Sequence, residues 1–462
     1  MDWRDEISIS DAGSSPDTKA VHGAYTPDKA VDRRQPLSND CAEERQNERL
    51  PFKKHQGEVV IRLTKLALAL LLTIGGSGLA VAQNAGVKLG VLTDMTGPAS
   101  TNTGLGSVTA AKMAVEDFGG SVLGKPIEVV QGDFLMKVDT GTLLARRWLD
   151  QDNVDAIVDV PSSPLALAIQ DIVKQKKRIF LISGGTSSDL TGKACTPYTV
   201  HWHIDSYAMG NVVGQETVRR GGDKWFFLTT DTAFGHSLER DTASAVERAG
   251  GKVLGSIRFP INSQDFSSQL LRASSSGANV IALVSTSTDT SNALKQAQEF
   301  GLTAPGKNIR FVAPLGNIHD FRGAGLSGSK GIITVDGFYW DQNDQTRQWS
   351  KKFFDRMKVM PSAVHAATYS AVLHYLRAVK KAGTKDADAV IKVMKSTAVD
   401  DFFAPGGTVR SDGRLISNRL LLQVKSPQES KGDWDIYKII REIPGNEIFR
   451  PLKDGGCPFV SN

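Results

Sequence analysis

Apolar residues along this chain fall into short, β-branched runs separated by longer stretches in which they recur at helical spacing. The runs "VKLGVLTD" (Val87 to Asp94), "IEVVQGD" (Ile127 to Asp133), "VDAIVDV" (Val154 to Val160) and "RIFLIS" (Arg178 to Ser183) read as strands. Between them the spacing predicts helices over residues 107–117, 140–150 and 163–175. The alternation then repeats, with "WFFLTTD" (Trp225 to Asp231), "KVLGSIRF" (Lys252 to Phe259), "VIALVS" (Val280 to Ser285) and "RFVAPL" (Arg310 to Leu315) as strands and helices over 237–249, 266–275 and 290–300. Such βαβ repetition predicts an α/β chain with parallel sheets covered on both faces, built as two similar lobes. The chain passes from one lobe to the other near "YTVHWHIDSYAMG" and returns near "GFYWDQ". Several crossings of this kind predict a cleft between the lobes.

A different pattern precedes these elements. Arg62 and Lys65 stand before the apolar run Leu66 to Ile74, followed by Gly75, Gly76, Gly78 and the triplet Ala80-Val81-Ala82. That order is the one of a secretory signal cleaved after Ala82, and the run is too short to span a bilayer. Residues 61–82 are therefore expected to be a signal peptide directing the rest to the periplasm. Residues 1–60 are charged and poor in apolar residues, and read as a disordered stretch. The simplest account is that they lie upstream of the true translation start; a genuine extension is the alternative.

Composition narrows the function classes. The chain has 55 Lys+Arg against 50 Asp+Glu, a formal net charge of +5, spread without basic runs or interleaved aromatics. Nucleic acid is thus not an expected partner. Of three cysteines, Cys41 falls before the signal, leaving Cys195 and Cys457 as an even pair in an oxidising compartment and a disulfide candidate, with two separately buried thiols as the alternative.

Apparent catalytic motifs fail on position. "GGSVLGKP" has the spacing of a phosphate loop but ends in Pro126 and feeds a strand, so it reads as a turn. "GLGSVT" lacks the third glycine of a dinucleotide fingerprint, Thr109 standing in its place. His201 and His203 would share one face of an extended segment, yet no further ligands stand at metal spacing, and structural histidines are the expectation. There is no G-x-S-x-G elbow, and His236, His319, His365 and His374 have no local nucleophile pattern. No enzyme, metal or cofactor is expected. The chemistry should lie at the carboxyl ends of the strands, where "DMTGPASTNTG", "PSSP", "SGGTSSDLTG", "DTAFG", "STSTDT" and "PLG" gather hydroxyls and glycines.

Five stretches carry a family resemblance: "VKLGVLTDMTGPAS", "GGSVLGKPIEVV", "SGGTSSDLTG", "DTAFGHSLE" and "PSAVHAATYSAVLHYLRAV". In these the chain resembles, from residue 87 to about 440, the periplasmic substrate-binding proteins of the leucine, isoleucine and valine type that serve ABC importers. The resemblance implies a type I periplasmic binding fold of two Rossmann-like lobes joined by three crossing strands. Residues 83–204 and 338–412 would form one lobe, and residues 205–337 and 413–462 the other. It also implies a ligand site at Asn102 and Thr103, Ser162 and Ser163, Gly184, Gly185, Thr186 and Ser187 in the first lobe. The second lobe would add Asp231, Phe234, Ser285 and Thr286. Where amino-acid-binding members have an acidic residue after the proline of G-P-E-G, "APLG" places Leu315. The expected protein is a monomeric receptor that takes a small organic solute, carboxylate-bearing and aromatic or branched, to a permease with its ATPase subunits; an amino acid is a further option. A ligand-sensing regulatory domain of the same fold, or a hydrolase, are the alternatives.

Overall fold

The computed structural model describes residues 86–285 and 287–460; the expected signal peptide, the stretch before it and Thr286 lie outside the described residues. Strands β1 (Lys88–Thr93), β2 (Glu128–Asp133), β3 (Ala156–Asp159), β4 (Ile179–Ile182) and β5 (Thr199–His201) form one parallel sheet in the order β2-β1-β3-β4-β5. Strands β6 (Lys224–Thr230), β7 (Lys252–Phe259), β8 (Val280–Val284) and β9 (Arg310–Val312) form a second, in the order β9-β8-β6-β7. β3, β4 and β8 are buried along their whole length, which is why they read as unbroken apolar runs rather than alternating ones. The doubly wound layout expected from the sequence is thus present in both lobes.

Several helices, those starting at Gly104, Val138, Ala233 and Ser287, begin two to four residues earlier than their apolar periodicity announces. α1 (Gly104–Phe118) starts on glycines, and Gly106 is required there because a Cβ would lie 2.3 Å from His365 Nε2. α2 (Val138–Asp150) and α3 (Ser163–Lys176) follow in the first lobe, and α4 (Ser206–Arg219) opens the second. α5 (Ala233–Arg248) starts at once after β6 because the Thr232 side chain accepts from Gly235 N, capping a turn that its small residues disguise as loop. α6 (Ser267–Ser274), α7 (Ser287–Glu299) and α8 (Ile318–Ala324) complete that lobe. After the return crossing, α9 (Asp344–Met357) and the almost wholly buried α10 (Ala363–Ala382) pack on α1, and α11 (Ala387–Ser396) follows. "GGSVLGKP" is the left-handed cap of α1 at Gly119 followed by a two-stranded ribbon of 121–122 with 125–126, a turn as expected.

A third sheet has no counterpart in the sequence expectations. β10 (Ile333–Asp336), β11 (Arg419–Val424) and β12 (Tyr437–Ile443) pair antiparallel, with Ile333, Val335, Leu421 and Ile443 packed into the core of the second lobe. The crossings run through residues 202–205, the segment after Asp336, and 412–419. They are clamped by buried ions. Arg414 Nη1 donates to Asp205 Oδ2 at 3.3 Å, Arg414 Nη2 to His203 O, and Arg419 Nη2 to Trp202 O at 3.2 Å. His203 Nε2 meets Asp336 Oδ1 at 2.7 Å. Phe449 lies under both guanidinium groups.

The end of the chain departs from the expected lobe boundary. Residues after β12 were expected in the second lobe, and Ile448 and Phe449 do pack in its core, but Arg450 donates to Ser188 O and Cys457 is bonded to Cys195, so the stretch from Arg450 on lies against the first. Cα atoms of the disulfide are 5.6 Å apart across a sequence separation of 262. Closing a loop of that size stabilises by about 5.5 kcal/mol in the chain-entropy model.

Candidate functional site

At the carboxyl end of β1 the chain turns through 94–103, a loop held by its own first residue: Asp94 accepts from Gly97 N and Ala99 N, both at 2.8 Å. Thr93 Oγ1 accepts from Gly104 N, so α1 starts at a fixed place with Asn102 and Thr103 at its mouth. After β3 the backbone enters the left-handed region at Asp159 and Val160, φ 81° and 58°, an uncommon conformation for β-branched valine. The turn brings Pro161, Ser162 and Ser163 to the start of α3, where Ser162 Oγ accepts from Leu165 N and Pro164 fixes the first turn. Gly184 packs so closely on this turn that a Cβ would lie 2.6 Å from Asp159 Oδ1 and 2.8 Å from Pro161 Cα. Ser163 Oγ accepts from Thr186 N at 3.3 Å and Ser187 N at 3.1 Å, locking the two strand-end loops together. Its hydroxyl hydrogen remains to donate.

These loops face their counterparts across a cavity of about 160 Å³ between the lobes. The size is close to that of an engineered apolar cavity that holds one benzene ring. From the first lobe it is lined by Asn102, Thr103, Ser162, Ser163, Gly184 and Thr186, and from the second by Phe234 and Leu315, all expected from the sequence. Gly185, Ser187, Asp231 and Ser285 do not line it. Gly185 packs on Ala166 and Ile182; Ser187 Oγ pairs with Ser237 Oγ at 2.9 Å; Ser285 Oγ pairs with Thr290 Oγ1 at 2.7 Å. Asp231 stands on the outside beside His236, because strand alternation at the end of β6 turns Thr230 and Thr232 inward instead. Thr286 lies outside the described residues.

The lobes are closed on one another. Asn102 Nδ2 donates to Ser287 Oγ at 2.9 Å and to Asp320 Oδ1 at 3.0 Å, reaching from the first lobe into the second. At the far rim Ser188 Oγ donates to Asp241 Oδ2 at 2.8 Å, and Arg240 Nη2 lies 3.7 Å from Asp189 Oδ1. Burial pushes the carboxyls of Asp320 and Asp159 up to about 6, against the hydrogen bonds each accepts.

A sequence model described as "periplasmic binding protein" matches residues 86–433, nearly all of the described chain. The chain belongs to the periplasmic binding protein family. A solved periplasmic binding protein from Burkholderia mallei is 42% identical with TM-score 0.79, covering 81% of this chain and 99% of its own. A branched chain amino acid ABC transporter periplasmic ligand-binding protein from Burkholderia xenovorans is 37% identical with TM-score 0.73, at the same coverage. Leu/Ile/Val-binding protein homolog 6 of Brucella abortus is 22% identical over 349 residues, covering 73% of this chain and 87% of its own.

Within this periplasmic binding protein the cavity wall is mostly apolar, with Met136, Val138, Pro161, Pro164, Phe234, Ile261, Leu315 and Val364 contributing. Several of its polar residues stand at helix starts: Thr103 before α1, Ser162 and Ser163 at α3, Thr232 before α5, Ser287 at α7 and Asn317 before α8, while Asn102, Thr186, His203 and Thr230 complete the polar lining. Each helix presents the positive end of its dipole. No Asp, Glu, Lys or Arg is among the described lining residues, and His203 is the one titratable group. Sequence reasoning did not place His203, Thr230, Thr232 or Asn317 here. The usable signals were the strand alternation around Asp231 and the position of "HWH" at the crossing; Met136 and Val138 carried none.

Proposed function

We propose that this protein is the periplasmic solute receptor of an ABC importer, a binding protein rather than an enzyme. It closes its lobes on a small aromatic or branched carboxylic acid and delivers it, as a monomer, to a permease driven by separate ATPase subunits. Hinge closure of two lobes is the established way such a cleft takes up a solute. One observation carries the ligand class: helix starts from both lobes converge on a cavity whose described lining has no acidic residue. A carboxylate is favoured there, whereas the ammonium of an amino acid would be buried without a counter-ion, at a cost of several kcal/mol. The acidic groups that would have to replace the missing one are turned elsewhere. Asp231 is beside His236, and Asp289 accepts from Asn262 N with burial pushing its carboxyl up to about 6; neither lines the cavity.

Isothermal calorimetry on unfolded and refolded, ligand-free protein tests this. Benzoate or 4-methylpentanoate is expected to bind at least about 10²-fold more tightly than phenylalanine or leucine, the ratio that an unpaired buried charge implies. Tight leucine binding with no response to either acid would return the protein to the amino-acid group. Export is part of the same proposal. Expressed from Met1 in a bacterium with two membranes, the protein is expected in the periplasm with Gln83 at its N-terminus, read by intact mass. A stable periplasmic species that retains residues 1–60 would refute it.

A further inference from the structure

His203 occupies a position that no reading of helix starts explains. It lies in the first crossing segment, buried, and lines the cavity. Its Nε2 is held by Asp336 Oδ1 at 2.7 Å, and its Nδ1 has no hydrogen-bond partner among the described residues. Asp336 is itself fixed, since Oδ1 also accepts from Gly337 N at 2.7 Å. With a carboxylate on one side, Nε2 must carry hydrogen, so in the neutral ring Nδ1 is a bare lone pair. A ligand carboxylate against that lone pair would be repelled. The same carboxylate against Nδ1–H of the imidazolium would make a charge-assisted hydrogen bond.

We propose that His203, oriented by Asp336, is the group that recognises the ligand's carboxylate, and that it takes up one proton from solvent as the ligand binds. This inference rests on the carboxylate reading above and deepens it. The balance is simple: Nδ1 gains the proton, the ligand arrives as its anion, and no covalent bond of the ligand changes. An imidazolium between Asp336 and the bound carboxylate leaves one net negative charge over the three groups, where a neutral ring would leave two.

Other charged groups surround the ring. On the third crossing segment, the Arg414 guanidinium lies on the carbonyl of His203 and the Arg419 guanidinium on that of Trp202; both oppose protonation. On its own segment His201 is held far below the usual imidazole range, chiefly by burial and then by the Arg414 charge, so it stays neutral, while Asp205 is engaged by Arg414. From the second lobe Asp336 is the facing carboxylate, and Asp320 and Tyr437 interact with it in turn. In the proposed complex the incoming anion joins Asp336 in favouring the imidazolium over the neutral ring.

The test uses benzoate, benzenesulfonate and benzamide as probes on the mature protein, by calorimetry from about pH 6 to about pH 8.5 in buffers of different ionisation enthalpy. At the alkaline end, benzoate is expected to bind with uptake of close to one proton and to weaken by about tenfold per pH unit. Benzenesulfonate, too strong an acid to carry a proton in, is expected to show the same uptake if it binds. Benzamide closes the same lobes without the charge. The ratio of benzoate to benzamide affinity therefore cancels the contributions of Asp159 and Asp320 to closure. His203→Gln is expected to lower benzoate affinity by about 30-fold or more at pH 6 and to abolish proton uptake. Asp336→Asn keeps the ring but removes the carboxylate that favours its charge, and is expected to move the pH dependence about one unit lower. Tight benzoate binding that is indifferent to pH, or proton uptake that survives in His203→Gln, overturns the inference and leaves the ligand reading standing. Binding of benzamide or leucine with no carboxylate bound at any pH overturns that reading first.

Discussion

Leu315→Glu is expected to weaken benzoate binding by about 10³-fold at neutral pH while leaving the fold intact. Leu315 is half-buried, lines the cavity and belongs to the loop after β9 rather than to a strand, so a longer side chain has room to enter the ligand space. A carboxylate placed there meets the bound carboxylate in a largely apolar chamber of about 160 Å³. Both charges cannot be satisfied by the same helix starts, and breaking the compensation of a buried charge costs about 3–5 kcal/mol. The same substitution supplies the acceptor that an α-ammonium lacks, so phenylalanine affinity is expected to rise as benzoate affinity falls. Calorimetry with both ligands on wild type and variant reads the inversion. Equal losses for both would mean that Leu315 acts only as a packing wall.

The second large effect concerns the crossings. Arg414 is fully buried, with its charge opposed by burial and supported chiefly by Asp205; the balance brings its guanidinium down to about 10. Its donors bind Asp205 and the carbonyls of His203 and Leu415, and its plane rests on Phe449. Arg414→Met keeps much of the packing but strands Asp205, whose Oδ1 also caps α4 through Ala208 N. Removing one partner of such a pair costs about 3–5 kcal/mol, which for a protein of this size lowers Tm by roughly 5–10 °C. Adding Asp205→Asn removes the stranded charge while retaining the cap, and is expected to recover more than half of the loss. Calorimetric melting of the single and double variants decides it. A double variant no better than Arg414→Met would show that the arginine contributes by shape and carbonyl binding alone.

The two parallel sheets were legible because buried parallel strands are apolar on both faces and punctuated by helices, a pattern that survives in β3, β4, β6 and β8 without alignment. The third sheet was not. β11 is "RLLLQV", a run like the others, but its partners β10 and β12 come from 83 residues before it and from across a polar loop, and β12 is exposed along most of its length. Long-range antiparallel pairing leaves no local signature. At the site, loops rich in Ser, Thr and Gly were visible as a class, and eight of their residues meet at the cavity. Which side of a loop faces the ligand was not visible. Asp231 and Ser285 are turned away from it, Gly185 packs on its own lobe, Ser187 bonds Ser237 on α5 of the opposite lobe, and Asn102 uses both its amide hydrogens to bind that lobe as well. His203 read as structural because its partner, Asp336, is more than a hundred residues distant and only the crossing geometry brings them together.

The bond between Cys195 and Cys457 also has a consequence in time. Its two halves are separated by 262 positions, and the second lies near the end of the chain. During synthesis and export the first thiol therefore waits, unpaired, until almost all of the protein has emerged. Both lobes can be complete before the link that fastens the tail exists. Because the three cysteines of the sequence include only these two after Ala82, a chain shortened there has one possible pairing. Such a chain needs an oxidant to finish maturing, but it has no wrong disulfide for an isomerase to undo.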